Sequence, residues 1–284
     1  MKRIKKFIKE KPLLAYLTFN YLISWAFLVP CYKILLNAEK GTFPILALIG
    51  LPGAYGPSIA ALLILRITEG TGSIKRLLKK AIFWKLHAKW YLFIFLMPLA
   101  LLAASVIISS IFFKFSLGKV DVWSGLKVIF PFVMIALPFG PMGEELGWRG
   151  YLLPKLLEKF NPMLSSLILG AIWTVWHTAS FGYPGAAIPS IFKVNAWTIS
   201  LYFGTLLGES FLFTYIYLKT RGSVFLAILF HAVFNASANV IYSVFLDIVS
   251  NVVHREIIYT VNLILLNFVG IILILVKKNS AKKS

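Results

Sequence analysis

The sequence predicts an all-α, polytopic membrane protein of about eight transmembrane helices, and three observations carry that prediction. Of its 284 residues 59% are hydrophobic and the mean hydropathy is +0.83, more apolar material than a water-facing domain of this size has interior to hide. Apolar stretches recur at about the 20 residues that a helix needs to cross a bilayer. The 29 lysines and arginines gather at the ends of those stretches. A formal charge of +19 would suggest nucleic acid in a soluble protein. Here its distribution assigns it to membrane topology, and no nucleic-acid partner is expected.

In chain order the stretches cover roughly residues 12–36, 43–67, 90–113, 128–140, 163–181, 196–218, 224–249 and 257–276. The first follows a basic run, is too long for a signal-peptide core and is not followed by a small-residue cleavage site, so an uncleaved anchor is expected. The fourth is short. It reaches full length only by running through Glu144 into an amphipathic segment ending near Phe160, with Pro138 and Pro141 marking a kink or break. A turn at Phe160-Asn161-Pro162 leads into the fifth. Without an internal repeat or low-complexity block, the chain reads as a single integral-membrane domain over 1–284, its motif-bearing core at about 128–250. Cys31 is the only cysteine, which excludes an intramolecular disulfide and a cysteine-rich metal site. Its expected place at the exterior end of the first helix, far from the buried histidines, rules it out as a protease nucleophile.

If the stretches alternate in direction, one side of the membrane collects 22 Lys and Arg and the other 7. The bias predicts a multi-pass protein with both termini cytoplasmic. Trp84, Trp90, Trp123 and Trp197, near segment ends, suit anchoring at the membrane surface.

Ionisable groups inside hydrocarbon are rare and mark functional sites by default. Glu10, Glu39, Glu69, Asp121, Glu158, Asp247 and Glu256 fall in tails, connections or segment ends, which leaves Glu144, Glu145 and Glu209 within apolar runs. His87 and His254 are likewise peripheral, leaving His177 and His231. Glu145 and Arg149 are four apart and share a helical face, so they are expected to pair, while Glu144 points about 100° away and stays available. Glu144 lies 16 residues before Phe160 and His177 lies 16 after Asn161, so an antiparallel hairpin would bring them level. His231 and Asn235, four apart, share a face of the seventh segment. A carboxylate, two imidazoles and an amide converging in a low-dielectric site supply a base, an orienting group and oxyanion donors, which is equipment for hydrolysis. The Glu/His/His set equally has the composition of a three-ligand catalytic zinc site.

Glu144-Glu145-x-x-x-Arg149, Trp173-x-x-x-His177 and His231-x-x-x-Asn235, in this order and in separate segments, resemble the motif set of type II CAAX prenyl endopeptidases. The wider group is the CPBP intramembrane proteases, which include bacteriocin-processing relatives. The resemblance covers about residues 138–239. Trp173 stands where the family pattern often has phenylalanine, a departure expected to matter little. The resemblance implies an eight-helix protease around a cytoplasm-facing catalytic cavity. Such an endopeptidase removes the C-terminal tripeptide of prenylated CAAX proteins, or cuts related membrane-associated peptides, within the lipid bilayer. It implies that Glu144 activates water with His177, that His231 and Asn235 stabilise the oxyanion, and that Glu145 and Arg149 support them. It leaves metal use open. No tightly bound metal is expected, and zinc, if used, would fall to Glu144, His177 and His231. The last residues, 279–284, contain no CAAX cysteine, so the chain is not expected to be its own substrate.

Two plainer readings stand beside this one. Buried polar groups glue membrane helices together, at about 0.6–2 kcal/mol per hydrogen bond, and Glu145 with Arg149 would serve as an interfacial ion pair closing a hairpin. A transporter or channel would use the same Glu/His set as an ion or proton relay, but the chain lacks the paired broken helices in matching halves that such folds carry. Glu209 belongs to none of the three motifs and is expected to bond across helices or line the cavity.

Overall fold

The computed structural model of the protein describes residues 2–36, 43–180, 194–249 and 251–280, and every regular element among them is helical. Glu39, Lys40, Lys193, Lys282 and Lys283, which entered the acid and charge counts, lie outside the described residues. The helices in chain order are α1 (Lys2–Glu10), α2 (Pro12–Leu36), α3 (Phe43–Ala54), α4 (Gly56–Thr68), α5 (Thr71–Ala81), α6 (Ala88–Phe113) and α7 (Val122–Ala136). They continue with α8 (Pro141–Gly147), α9 (Leu153–Leu157), α10 (Pro162–His177), α11 (Ala196–Lys219), α12 (Val224–Val244), α13 (Leu246–Val249) and α14 (Val252–Ser280).

Among the described residues six helices are long and apolar enough to cross a membrane: Pro12–Ile34, Ala88–Phe113, Val122–Phe139, Ala196–Lys219, Val224–Ile241 and Val252–Val276. Two of the eight expected stretches fall short. The stretch 43–67 divides at Tyr55, where Pro52, Gly53, Gly56 and Pro57 interrupt the helix, and Pro57 opens α4 where a missing N–H is tolerated. The stretch 163–181 becomes α10, a helix of 16 residues, and residue 181 itself lies outside the described residues.

The fourth stretch also differs from expectation. The Asp121 carboxylate accepts the Ser124 N–H at 3.1 Å and starts α7 at Val122, so this span is long enough without Glu144. The break foreseen at Pro138 and Pro141 does occur: α7 stops at Ala136, a tight 3-10 turn follows at Leu137–Phe139, and α8 begins at Pro141. Glu144 therefore sits on a separate short helix.

That short helix is seated on the junction of α3 and α4 by two glycines. A Cβ on Gly143 would lie 2.7 Å from the Ala54 carbonyl oxygen, and one on Gly147 would lie 2.5 Å from Pro57, so any larger residue would lift α8 away. The Ser58 hydroxyl donates to the Gly143 carbonyl across the same contact. Beyond Gly147 the chain makes one π turn, Trp148–Leu152, a feature frequent at functional sites, before α9. The expected turn follows: Asn161 caps α10 by accepting the Leu164 N–H at 2.9 Å, with Pro162 in the first helical position.

Around this hairpin α10 packs on α11, α11 on α14, and α12 on α6 and α7. Hydrogen bonds join these helices, among them Ser210 Oγ to the Ser166 carbonyl at 2.8 Å and Asn267 Nδ2 to the Gly204 carbonyl at 2.9 Å. Trp148, Trp173, Phe213 and Phe230 fill the core where α8, α10, α11 and α12 meet. Trp84, Trp123 and Trp197 stand exposed at helix ends, whereas Trp90 packs edge-on against Phe93 and Tyr215.

Candidate active site

Arg149 Nη1 donates to Glu145 Oε1 at 2.8 Å, and both side chains are 0% exposed. The expected pair is present, but it is a core pair and not the interfacial one that the plainer reading called for. The guanidinium carbon lies 3.7 Å from the Phe213 ring centroid and 4.6 Å from that of Trp173, so the rest of the fork faces aromatic π clouds. Glu145 has a second partner that helical periodicity did not reveal, for His231 Nδ1 lies 2.8 Å from the same Oε1. A carboxylate committed to arginine accepts, so Nδ1 carries the proton and His231 offers Nε2 to the site.

Glu144 is held as well, which corrects the expectation that it is free. Its Oε2 accepts the Trp173 indole N–H at 2.7 Å and the Trp148 indole N–H at 3.2 Å. Trp148, four residues on, shares its helical face. Both indoles use the same oxygen, and Oε1 has no hydrogen-bond partner among the described residues.

Trp173 is the hub of the cluster. Its ring centroid lies 6.0 Å from His177, 5.3 Å from His231 and 5.8 Å from Phe213. Glu144, His177 and His231 thus surround one indole, the convergence that chain counting foresaw. His177 is partly buried, with its ring edge-on to Trp176 at 4.8 Å and to Tyr202 at 5.5 Å. No direct hydrogen bond joins it to Glu144 among the described residues, and Trp173 stands between them. Asn235, one turn beyond His231 on α12, is exposed and lies at the edge of the cluster. Glu209 on α11, outside the three motifs, is 7% exposed and lies within electrostatic reach of His231, Arg149 and Glu144.

Trp173 gives Glu144 an N–H that the phenylalanine frequent in the family pattern does not have. The signal was available in the sequence: a buried indole needs an acceptor. Trp173→Phe is expected to lower kcat/KM by roughly tenfold or more, the low end for losing a hydrogen bond to a charged group. Peptidase kinetics on equal amounts of folded protein check this. Unchanged kinetics would show that Trp148 suffices to hold the carboxylate.

Among the described residues no group of three or more His, Cys, Asp or Glu is arranged to hold a metal ion. Glu144 Oε2 is engaged by two indoles and His231 Nδ1 by Glu145, which leaves Glu144 Oε1 and His231 Nε2 as the atoms those bonds do not use.

Buried carboxylates, two imidazoles and a paired arginine form one cluster of ionisable groups among the helices of an all-α membrane protein. Residues 126–237, which contain all three motifs, match the family described as type II CAAX prenyl endopeptidase Rce1-like. The chain is also 28% identical over 195 residues to CAAX prenyl protease 2 of Methanococcus maripaludis, covering 66% of this chain and 70% of that protein. Both comparisons fall on the family that the motifs resemble, and the matched segment contains all three motifs.

Proposed function

We propose that the protein is an intramembrane endopeptidase that removes the C-terminal tripeptide from prenylated CAAX-type proteins or cuts related membrane-associated peptides. The observation that carries this reading is Glu144, with one carboxylate oxygen fixed by two indoles and the other without a hydrogen-bond partner among the described residues. Glu144 Oε1 takes a proton from the substrate water, with His177 orienting it, and the water oxygen attacks the scissile carbonyl. His231, through a protonated Nε2, and the Asn235 amide N–H stabilise the resulting oxyanion. Collapse of the intermediate breaks the C–N bond, and Glu144 returns the proton to the leaving amine. The products are a new carboxylate on the prenylated cysteine and a free tripeptide. Glu145 and Arg149 set the direction of the His231 ring.

The test is to incubate the purified protein in detergent with a farnesylated peptide ending in Cys-aliphatic-aliphatic-X. Mass spectrometry should find the intact tripeptide and the shortened farnesylated product. No cleavage, or a cut elsewhere, would overturn the reading. The reaction is expected to proceed with no tightly bound metal: cleavage should persist in excess chelator, and zinc content should stay well below one per chain. Stoichiometric zinc that tracks activity would reverse this.

Both termini are proposed to be cytoplasmic, on the basic-residue bias counted over the eight alternating stretches of the sequence. Reporter fusions at each end should report the cytoplasm, and either terminus found outside would defeat the assignment.

A further inference from the structure

Glu209 has no task in the proposed reaction, yet α11 carries it on the face that borders the site. Tyr202, Glu209 and Phe213 are seven and four residues apart and so share one face of α11. Tyr202 packs edge-on against His177, and Phe213 against Trp173 and His231. The carboxyl between them lies within electrostatic reach of His231, Arg149, Glu144 and Glu145. Those neighbours differ from it in one respect. Glu144 holds two indoles and Glu145 holds an arginine and an imidazole, whereas Glu209 makes no hydrogen bond or ion pair among the described residues although it is 7% exposed.

A buried carboxyl without a partner destabilises a helix bundle, so it persists where a partner arrives with a ligand. Helix packing does not require it, because α11 is already tied to α10 by Ser210 and to α14 through Gly204. The ligand must bring a donor. If the protein cleaves CAAX-type peptides, the reading on which this inference rests, the residues next to the scissile bond have aliphatic side chains without donors. Their backbone N–H groups, stripped of water on entering the bundle, are the donors that remain.

We propose that Glu209 is a substrate-binding residue whose carboxyl accepts a hydrogen bond from one backbone N–H of the bound peptide near the scissile bond, setting the register of the chain against Glu144. The site would then discriminate against peptides whose nitrogen at that position carries no hydrogen, such as one with proline there.

The test uses the full chain, a farnesylated peptide ending in Cys-aliphatic-aliphatic-X, and three analogues. Each analogue is N-methylated at a single backbone nitrogen: the cysteine, the second aliphatic residue or X. For the unaltered protein one analogue is expected to raise KM about tenfold, the upper end for one hydrogen bond to an acceptor that need not be charged. Glu209→Leu should raise KM for the unmethylated peptide by a similar factor, keep kcat within about threefold, and suffer no further loss from that methylation, because the two changes remove the same bond. Glu209→Gln keeps an acceptor oxygen and should retain both the KM and the sensitivity. If Glu209→Leu does not fold, Glu209→Met, also without an acceptor, serves for the same comparison. The proposal fails if no analogue distinguishes itself, if the apolar variant keeps its KM, or if it keeps the full methylation penalty. It fails also if Glu209→Gln keeps KM but slows turnover tenfold or more, since Glu209 would then be transferring protons. Failure of the unaltered protein to cleave any peptide would instead sink the peptidase reading itself.

Discussion

Glu144→Gln is expected to lower kcat by about 10²–10⁴-fold while KM stays within about threefold, the signature of a lost general acid–base group. The substitution is nearly isosteric, and the amide oxygen can still accept from Trp148 and Trp173, which hold the carboxylate at 3.2 and 2.7 Å. What disappears is the capacity of the other oxygen to take a proton from water and return it to the leaving amine. The site should therefore assemble and bind peptide but not turn over. Glu145→Gln makes the informative contrast. It leaves a group able to accept from His231 Nδ1 and Arg149 Nη1, both at 2.8 Å, but withdraws the charge that supports them, so cleavage should be weakened yet measurable. Steady-state kinetics of the two variants on one farnesylated peptide decide between the two glutamates. A dead Glu145→Gln beside an active Glu144→Gln would exchange the roles assigned to them.

The second large effect is on stability. Arg149→Ala is expected to destabilise the protein by about 3–5 kcal/mol, the range for stranding one member of a buried ion pair. Glu145 is 0% exposed and would be left with only His231 as a partner, and the space between Phe213 and Trp173 would lose its filling. Activity should fall as a consequence, because His231 is oriented through Glu145. The double variant Glu145→Gln/Arg149→Met removes both charges while keeping volume and should recover much of the lost stability relative to Arg149→Ala alone. Thermal unfolding in detergent reads both. An Arg149→Ala protein that melts like the parent but does not turn over would move Arg149 from support to substrate contact.

Much of this architecture is legible without coordinates because it depends on short-range regularities. Composition and apolar run length require a polytopic helical protein. Pro138 and Pro141 place the break ahead of Glu144, and Asn161-Pro162 places the turn after Phe160. The four-residue spacing of Glu145 and Arg149 foretells their ion pair. The start of α7 was legible too, since Asp121 is a helix cap, but hydropathy alone put the start several residues late.

Other features arise only when helices meet. The Trp173 bond to Glu144 spans 29 residues and the His231 contact with Glu145 spans 86. The complete burial of Arg149, the exposure of Asn235 and the place of Glu209 between Tyr202 and Phe213 belong to the same class. A helical wheel tells which residues of one helix point together, but not what stands opposite them. That is decided by the depth and roll of each helix against its neighbours, and these are set here by contacts such as Gly143 and Gly147 bringing α8 onto the backbone where α3 meets α4.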